Sequence, residues 1–185
     1  AQLGEWDSRL AGYNPDAERL MADAVRTVLG VEAAALSDEE AIAKVLDGSE
    51  NPYLGHPLFL GMHSKLMQSM DHVLFTFQKR ISGAEDAQNQ RHRGTMSSSP
   101  LLTAHQRRQP DVIVPWAIRQ NPAALAEYEA TIGAMWQAKN ELLDRGVSPE
   151  VALYLLPNAH RVRFYESGPL LWYYWKWVKR LCYDA

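Results

Sequence analysis

The chain has 185 residues, of which 46% are hydrophobic and 22% charged, and its formal net charge is −3. This composition indicates an ordinary globular protein and excludes a disordered, collagen-like or coiled-coil chain. The negative charge argues against nucleic acid as a partner, and no apolar run approaches the ~18 residues of a transmembrane helix, so we expect no membrane partner either. The single cysteine, Cys182, and the lack of a signal-peptide pattern indicate a cytoplasmic protein.

The first 50 residues differ from the rest in charge. Residues 1–50 hold 11 acidic and 4 basic side chains, whereas residues 51–185 hold 11 acidic and 15 basic ones. Apolar spacing predicts a helix over residues 16–29, and the capping-box pattern of Ser37 and Glu40 predicts another over residues 37–46. We therefore expect an acidic helical appendage or linker at 1–50 and a second domain at 51–185.

The middle of the chain reads as a strand followed by a helix. Residues 73–77 (VLFTF) are apolar, β-branched and aromatic, which is typical of a short strand. Ser82 and Glu85 have the spacing of a capping box, which predicts a helix that ends before Gly94. Residues 95–100 are rich in hydroxyl groups and are predicted as a loop.

The last third of the chain is predicted as helices around one strand. A proline at the first helical position predicts a long helix over residues 121–145, and a similar start predicts a short one over residues 148–157. Residues 160–166 alternate polar and apolar side chains as a strand does, and an aromatic helix covers residues 169–185. That helix has no stop signal, so we expect the domain to be truncated at its C-terminal end.

The densest polar cluster lies at the end of the predicted central helix. Gln88, Arg91 and His92 are spaced i, i+3 and i+4, which places an amide, a guanidinium and an imidazole on one face beside Arg93. Guanidinium forks match phosphate oxygens, and the serines of residues 97–99 add hydroxyl donors, so this face is suited to anions. Spacing alone leaves a second explanation open, a solvated helix end whose cations favour the helix dipole.

A longer pattern surrounds this cluster. Residues 70–77 (MDHVLFTF), followed by QNQRHR at 88–93, resemble the strand and the Gln-x-x-Arg-His-Arg element of the flavin-dependent thymidylate synthases (ThyX). The resemblance covers roughly residues 60–185. The other matching positions are His63-Ser64, with three residues looped out, Leu156-Pro157, Arg163-Phe164 and Arg180.

The resemblance implies an α/β (α+β) fold, with a small antiparallel or mixed sheet packed against long helices and preceded by a helical N-terminal appendage. It implies a homotetramer, or a tandem partner domain of the same kind, with FAD held between subunits. The implied reaction converts dUMP to dTMP, with methylenetetrahydrofolate as one-carbon donor and NADPH as reductant. No thiolate is needed in that chemistry, so Cys182 is predicted as a small core residue.

The resemblance also assigns residues to the site. Arg180 would be the catalytic residue, because it would bind the uracil and help to ionise it. The implied cofactor-binding residues are Arg91, His92, Arg93, His63, Ser64 and His72. The implied substrate-binding residues are Gln88, Arg91, Ser98, Ser99 and Arg180.

Several positions depart from the family pattern. Leu153 stands where the family has an arginine, and Pro169 and Trp175 replace two asparagines expected to meet the flavin. The two arginines missing at the nucleotide site would each supply charge-assisted hydrogen bonds of roughly 1.5–3 kcal/mol. The loop after the triplet has lost a Ser, an Asn-Glu pair, a second Ser and one of those arginines, at Met96, Ser98-Ser99, Leu101 and Thr103.

Three nearby cations are the candidates for replacing the missing charge. Arg107, Arg108 and His105 follow the altered loop by a few residues and would be able to reach an anion. The alternative is that they are ordinary exposed cations on a loop.

Two other classes of function stay open beside the enzyme. In the first, the chain is a catalytically lapsed domain that binds flavin or nucleotide weakly, or that only stabilises an active partner domain. In the second, it is a helical partner-binding domain. No histidine pair is spaced i, i+4 on a predicted helix and no zinc motif is present, so we expect no metal. The aromatic cluster at residues 172–177 is predicted as core packing instead of a stacking platform.

Overall fold

The computed structural model describes residues 3, 7–56, 58, 60–105 and 107–181, so Cys182 and the predicted helix beyond residue 181 lie outside it. The elements form the predicted mixed α/β fold. The strands are β1 (Ser8–Tyr13), β2 (Leu74–Ser82), β3 (Met96–Ser98) and β4 (Arg161–Pro169). The helices are α1 (Ala17–Leu29), α2 (Asp38–Leu46), α3 (Gly83–Asn89), α4 (Trp116–Arg119), α5 (Pro122–Asp144), α6 (Pro149–Ala152) and α7 (Leu170–Leu181). Short 3₁₀ helices cover Leu60–His63, Met67–His72, Leu102–His105 and Leu153–Leu155.

The strands form one four-stranded antiparallel sheet in the order β1-β2-β4-β3. Two of these strands, β1 and β3, were not predicted from the sequence. β1 is exposed or half-buried along its whole length, so it carries no alternation of apolar and polar residues to reveal it. β3 lies in the segment predicted as a loop, and that prediction is wrong because pairing at the sheet edge overrides the weak strand preference of its serines.

A side-chain amide joins β1 to β2. The Nδ2 of Asn14 donates to the carbonyl of His72 at 2.9 Å, and its Oδ1 accepts from the N–H of Leu74 at 2.8 Å. The backbone N–H of Asn14 also donates to the carbonyl of Leu74 at 3.4 Å, so Asn14 continues the pairing one residue beyond the end of β1.

The helices with strong local signals begin and end close to their predicted positions. Ser37 and Glu40 form both hydrogen bonds of the capping box at the start of α2. Asn121 caps α5 by accepting from two backbone N–H groups, and Gly146, with φ of 81°, follows its end. These confirm the helices predicted over 37–46 and 121–145.

The chain divides into two units, which we call the His92 unit and the Asp111 unit. The His92 unit comprises described residues within 9–77, 92–97 and 166–185. The Asp111 unit comprises those within 1–8, 78–91 and 98–165. Each of the four strands β1 to β4 therefore contributes residues to both units.

The core of the His92 unit is built from the two N-terminal helices, the 3₁₀ helix before β2, and α7. Residues that precede position 50 in the sequence and residues that follow it both contribute to this core. The domain boundary at that position stays a prediction. Its buried members are Met21, Ala22, Val25, Ala41, Val45, Met67, Met70, Val73 and Leu171.

The Asp111 unit has a small sheet core and a long helix. Ile81, Val162 and Phe164 pack together on its strands. On α5, the indole N–H of Trp136 and the Nζ of Lys139 both donate to the carbonyl of Arg107, at 3.0 and 2.6 Å. Within the described residues, no helix is both long and apolar enough to cross a bilayer.

Candidate active site

The Arg-His-Arg triplet does not lie on a helix. α3 ends at Asn89, so the prediction that the helix reaches Arg93 and that Gln88, Arg91 and His92 share its face is wrong. α3 buries none of its residues, so no apolar face is available to stabilise a further turn. The triplet instead occupies the turn between α3 and β3.

That turn brings His92 to Arg180, which lies 88 positions later on α7. The Nε and Nη2 atoms of Arg180 lie 3.2 and 3.0 Å from Nε2 of His92. A guanidinium can only donate, so Nε2 accepts and the imidazole proton resides on Nδ1. His92 is therefore neutral in this arrangement.

The surroundings of His92 favour the neutral ring. Burial lowers the pKa of His92, the charges of Arg180 and Lys176 lower it further, and Glu166 acts in the opposite direction. The indole of Trp175 stands edge-on to the imidazole, with ring centroids 5.5 Å apart. Nδ1 is buried and has no hydrogen-bond partner among the described residues.

A buried charge cluster lies beside this pair. Lys176 Nζ donates to Oε1 of Glu166 and, at 3.0 Å, to Oγ1 of Thr95, which itself donates to the same carboxylate oxygen at 2.9 Å. Glu166 is 1% exposed and Lys176 5% exposed. Lysine and glutamate side chains are rarely buried to this depth unless a partner compensates them, as Glu166 and Lys176 do for each other.

Sequence analysis missed this cluster, although a signal was present. Val162, Phe164 and Glu166 alternate along β4, and all three are buried. A carboxylate on the apolar register of a strand needs a buried cation, and Lys176 is the lysine within the aromatic run of α7.

Two glycines allow the turn to approach α7 and β4. A Cβ on Gly94 would lie 1.8 Å from Cδ2 of Trp172, and one on Gly168 would lie 2.8 Å from Cγ2 of Thr95. No side chain other than hydrogen fits at residue 94 without movement of the indole.

His72 lines an open recess of about 420 Å3 between α1 and the segment before β2. Lys65, Gln68 and Ser69 supply its remaining polar groups on that segment. The residues from α1 are Ala24, Thr27 and Val28. The wall is thus mixed, with polar groups on the segment before β2 and mainly apolar groups on α1.

The structure gives the positions of the other predicted site residues, and their roles stay predictions. His63 ends a 3₁₀ helix and is exposed, and Ser64 Oγ accepts from the N–H of Met67 at 3.4 Å. Arg93 is exposed in the His92 unit. Gln88, Arg91, Ser98 and Ser99 are exposed residues of the Asp111 unit, and their roles stay predictions.

The arginines considered as replacements for the missing charge are engaged with carboxylates. Arg107 lies 3.4 Å from Asp111, which also pairs with Arg161 at 3.4 Å and Arg163 at 2.7 Å. Burial alone would raise the pKa of Asp111, but the hydrogen bond from Arg163 and the three guanidinium charges hold it below its ordinary value.

The second of these arginines has a carboxylate of its own. Arg108 pairs with Asp144 at 2.7 Å, with both side chains well exposed. The side chain of His105 lies outside the described part of the chain. Among the described residues, no group of three His, Cys, Asp or Glu side chains is placed to hold a metal ion.

Comparison with known proteins agrees with the sequence resemblance. The family model described as thymidylate synthase complementing protein matches residues 9–185. A solved structure of the UMP/dUMP methylase PolB from Streptomyces cacaoi, bound with 5-Br dUMP, superposes with a TM-score of 0.62 at 16% identity, over 88% of this chain and 72% of that one. The comparison with curated proteins gives no match. The chain therefore belongs to the thymidylate synthase complementing protein family, the ThyX proteins that its Arg-His-Arg element indicated.

Proposed function

We propose that this protein binds a uracil nucleotide of the dUMP type and methylates its base. The family supports a thymidylate-forming activity, and the similar structure from Streptomyces cacaoi is a UMP/dUMP methylase with a dUMP analogue bound. Within the chain, the observation that carries the proposal is the contact between His92 and Arg180, which presents an exposed guanidinium beside a half-buried imidazole.

Arg180 has the chemistry that a uracil ring requires. Its planar fork donates to a carbonyl oxygen of the base and to the imide nitrogen once that nitrogen has lost its proton, and its permanent charge stabilises the anion that results. His92 accepts from two of its nitrogens, so the guanidinium plane is fixed before a ligand arrives. Such preorganisation lowers the cost of binding and of charge development.

We further propose FAD as the cofactor, with NADPH and methylenetetrahydrofolate as co-substrates. The recess beside His72 fits a part of FAD, because Lys65 and His72 supply cationic and donor groups for phosphate, and Ala24 and Val28 supply an apolar wall. When bound, FAD supplies the redox chemistry that the protein side chains lack. His63, Ser64, Arg91 and Arg93 are the other proposed cofactor contacts.

Flavin binding is tested by incubating the purified chain with FAD, removing excess cofactor and recording the visible spectrum. We expect the absorption bands of bound flavin to remain, and to weaken in a Lys65→Met variant. Lys79→Met is the matched control, since Lys79 is not among the residues that line the recess. A colourless folded chain at saturating FAD contradicts the cofactor proposal.

Nucleotide binding is tested by calorimetry with dUMP. Removal of one charge-assisted contact costs about 1.5–3 kcal/mol, so Arg180→Ala should weaken binding roughly 10- to 150-fold, and Arg180→Lys should recover only part of the loss. Arg108→Ala should bind like the wild type. Equal affinities for wild type and Arg180→Ala contradict the site.

Turnover separates the enzyme from a lapsed domain. We expect NADPH oxidation that requires dUMP and methylenetetrahydrofolate and yields dTMP. Leu153, which replaces a family arginine in the 3₁₀ helix Leu153–Leu155, favours the lapsed alternative. Binding of dUMP without dTMP formation would establish that alternative. Light scattering on the same preparation tests the predicted homo-oligomer or tandem partner.

A further inference from the structure

The hydroxyl of Thr95 lies at a junction between three parts of the His92 unit. It donates to Glu166 on β4 and accepts from Lys176 on α7. Thr95 is only three residues after His92, so these two bonds anchor the turn that carries the imidazole. The bonds satisfy the donor and one acceptor site of the hydroxyl.

The same cluster also orients Arg180. Lys176 and Arg180 are spaced i, i+4 on α7 and therefore lie on one face of that helix. The buried ion pair with Glu166 fixes the rotation of this face relative to β4. One cluster thus holds both members of the pair, His92 through Thr95 and Arg180 through Lys176.

We propose that Thr95, Glu166 and Lys176 are positioning residues that hold His92 against Arg180 as a neutral, Nδ1-protonated imidazole. None of the three needs to touch a ligand for this role. That this arrangement assists the binding of a uracil nucleotide rests on the proposed function. The arrangement itself is a property of the ligand-free chain.

Steric contacts support the same conclusion. Gly94 packs on Trp172, and Gly168 packs on Thr95, so the turn has little room to shift. The Trp175 ring, edge-on to His92, limits rotation of the imidazole. Because these contacts confine the backbone of the turn, the hydrogen bonds of Thr95 determine how far the turn lies from α7.

The charges around His92 act together with this geometry. The charged groups that face it are Arg180, Lys176 and Glu166. Glu166 compensates Lys176, and Arg180 donates to Nε2, so a proton on Nε2 would both break two hydrogen bonds and oppose a guanidinium. Displacement of the turn would remove these penalties and let the imidazole titrate normally.

The test is long-range ¹H–¹⁵N NMR of the histidine rings in the full chain without ligand, titrated with pH. The chain has six histidines, and the His92 signals are assigned by their loss in His92→Gln. We expect the wild type to show Nδ1 protonated and Nε2 unprotonated at neutral pH, with the pKa below the ordinary value near 6.5.

Thr95→Val keeps the shape of the side chain and removes its hydrogen bonds to Glu166 and Lys176, together with the 3.5 Å contact of its hydroxyl to the carbonyl of His92. We expect this variant to show mixed tautomers and a His92 pKa that rises toward the ordinary value, and Thr95→Ser to restore the wild-type pattern. A folded Thr95→Val protein with unchanged His92 tautomer and pKa overturns the proposal, whatever its stability.

Glu166→Gln provides a second test if Thr95→Val does not fold. The amide keeps the shape but leaves the buried Lys176 ammonium without its counter-charge, so the anchor of the turn should weaken and His92 should show mixed tautomers at neutral pH. The tautomer is the readout here, because loss of the Glu166 charge itself also alters the His92 pKa. A folded Glu166→Gln protein with the wild-type tautomer overturns the proposal. Neither measurement uses a nucleotide, so failure to bind dUMP refutes the proposed function and leaves this inference standing.

Discussion

Two charge clusters, one in each unit, are built in opposite ways. In the His92 unit, Glu166 and Lys176 form a one-to-one pair that is 1% and 5% exposed. In the Asp111 unit, one carboxylate receives three guanidinium groups, whose side chains are 26–58% exposed. A charge at the depth of Glu166 loses its hydration, and the opposite charge of Lys176 compensates for that loss. Where water reaches the cations, a surplus of positive charge is tolerated.

The largest expected effect is therefore the removal of one partner of the deep pair. Lys176→Met leaves the Glu166 carboxylate buried without its cation, which should lower the free energy of unfolding by about 3–5 kcal/mol. We expect the double variant Glu166→Gln with Lys176→Met to lose much less, because neither charge remains. Denaturant unfolding followed by circular dichroism measures both. A single variant as stable as the double would contradict the comparison.

Asp111→Asn should have a smaller effect in the other unit. The loss of charge-assisted bonds to three arginines should cost about 1–3 kcal/mol at neutral pH, since these bonds are partly exposed. Denaturant midpoints of the variant and the wild type give the difference.

The same substitution has a defined pH dependence. The pKa of Asp111 is held below its ordinary value, so its stabilisation is present above the unfolded-state pKa near 3.9 and is lost as pH falls through the folded-state pKa. Wild type and Asp111→Asn should therefore converge in stability in acid. A constant difference from pH 7 to pH 2 would contradict the role of the carboxylate charge.

Gly94→Ala tests the close approach beside the deep pair. The added methyl would overlap the Trp172 ring, and overpacking of this kind costs about 1–3 kcal/mol. Gly133→Ala is the matched control, because nothing lies within 4 Å of its Cβ position on α5. That control should be neutral or stabilising by up to about 1 kcal/mol. Thermal unfolding in parallel distinguishes the two.

The smallest effect is expected at the exposed pair of Arg108 and Asp144. Arg108→Ala should change stability by less than about 0.5 kcal/mol, because solvent and salt screen this contact. A loss above 1 kcal/mol would show that exposed pairs in the Asp111 unit contribute more than their accessibility suggests.

Local signals made much of the fold predictable. Each of three helices carries a signal within a few residues, so sequence alone predicts them closely: an apolar stripe in α1, a capping box in α2, and an Asn-Pro start in α5. β1 and β3 depend on partners elsewhere in the chain, and neither has a pattern of its own. α3 shows the converse error, because its N-terminal serine cap is present but no packing extends the helix to His92.

The candidate site was predictable in part for the same reason. The motif resemblance identified His92 and Arg180 separately, but only folding shows that they touch across 88 positions. The Glu166 and Lys176 pair escaped notice because each residue type is ordinarily exposed. Their burial follows from strand alternation in β4 and from the aromatic face of α7 together, which no single segment displays.

Asn14, whose side-chain amide joins β1 to β2, is followed in the sequence by Pro15, and this neighbour affects the chemical stability of the amide. Asparagine deamidates when the backbone nitrogen of the following residue attacks the side-chain amide carbon and closes a succinimide ring. Pro15 carries no N–H, so it cannot serve as that nucleophile. Asn14 should thus remain intact during prolonged storage at mildly alkaline pH, and mass spectrometry of aged protein should find deamidation elsewhere first.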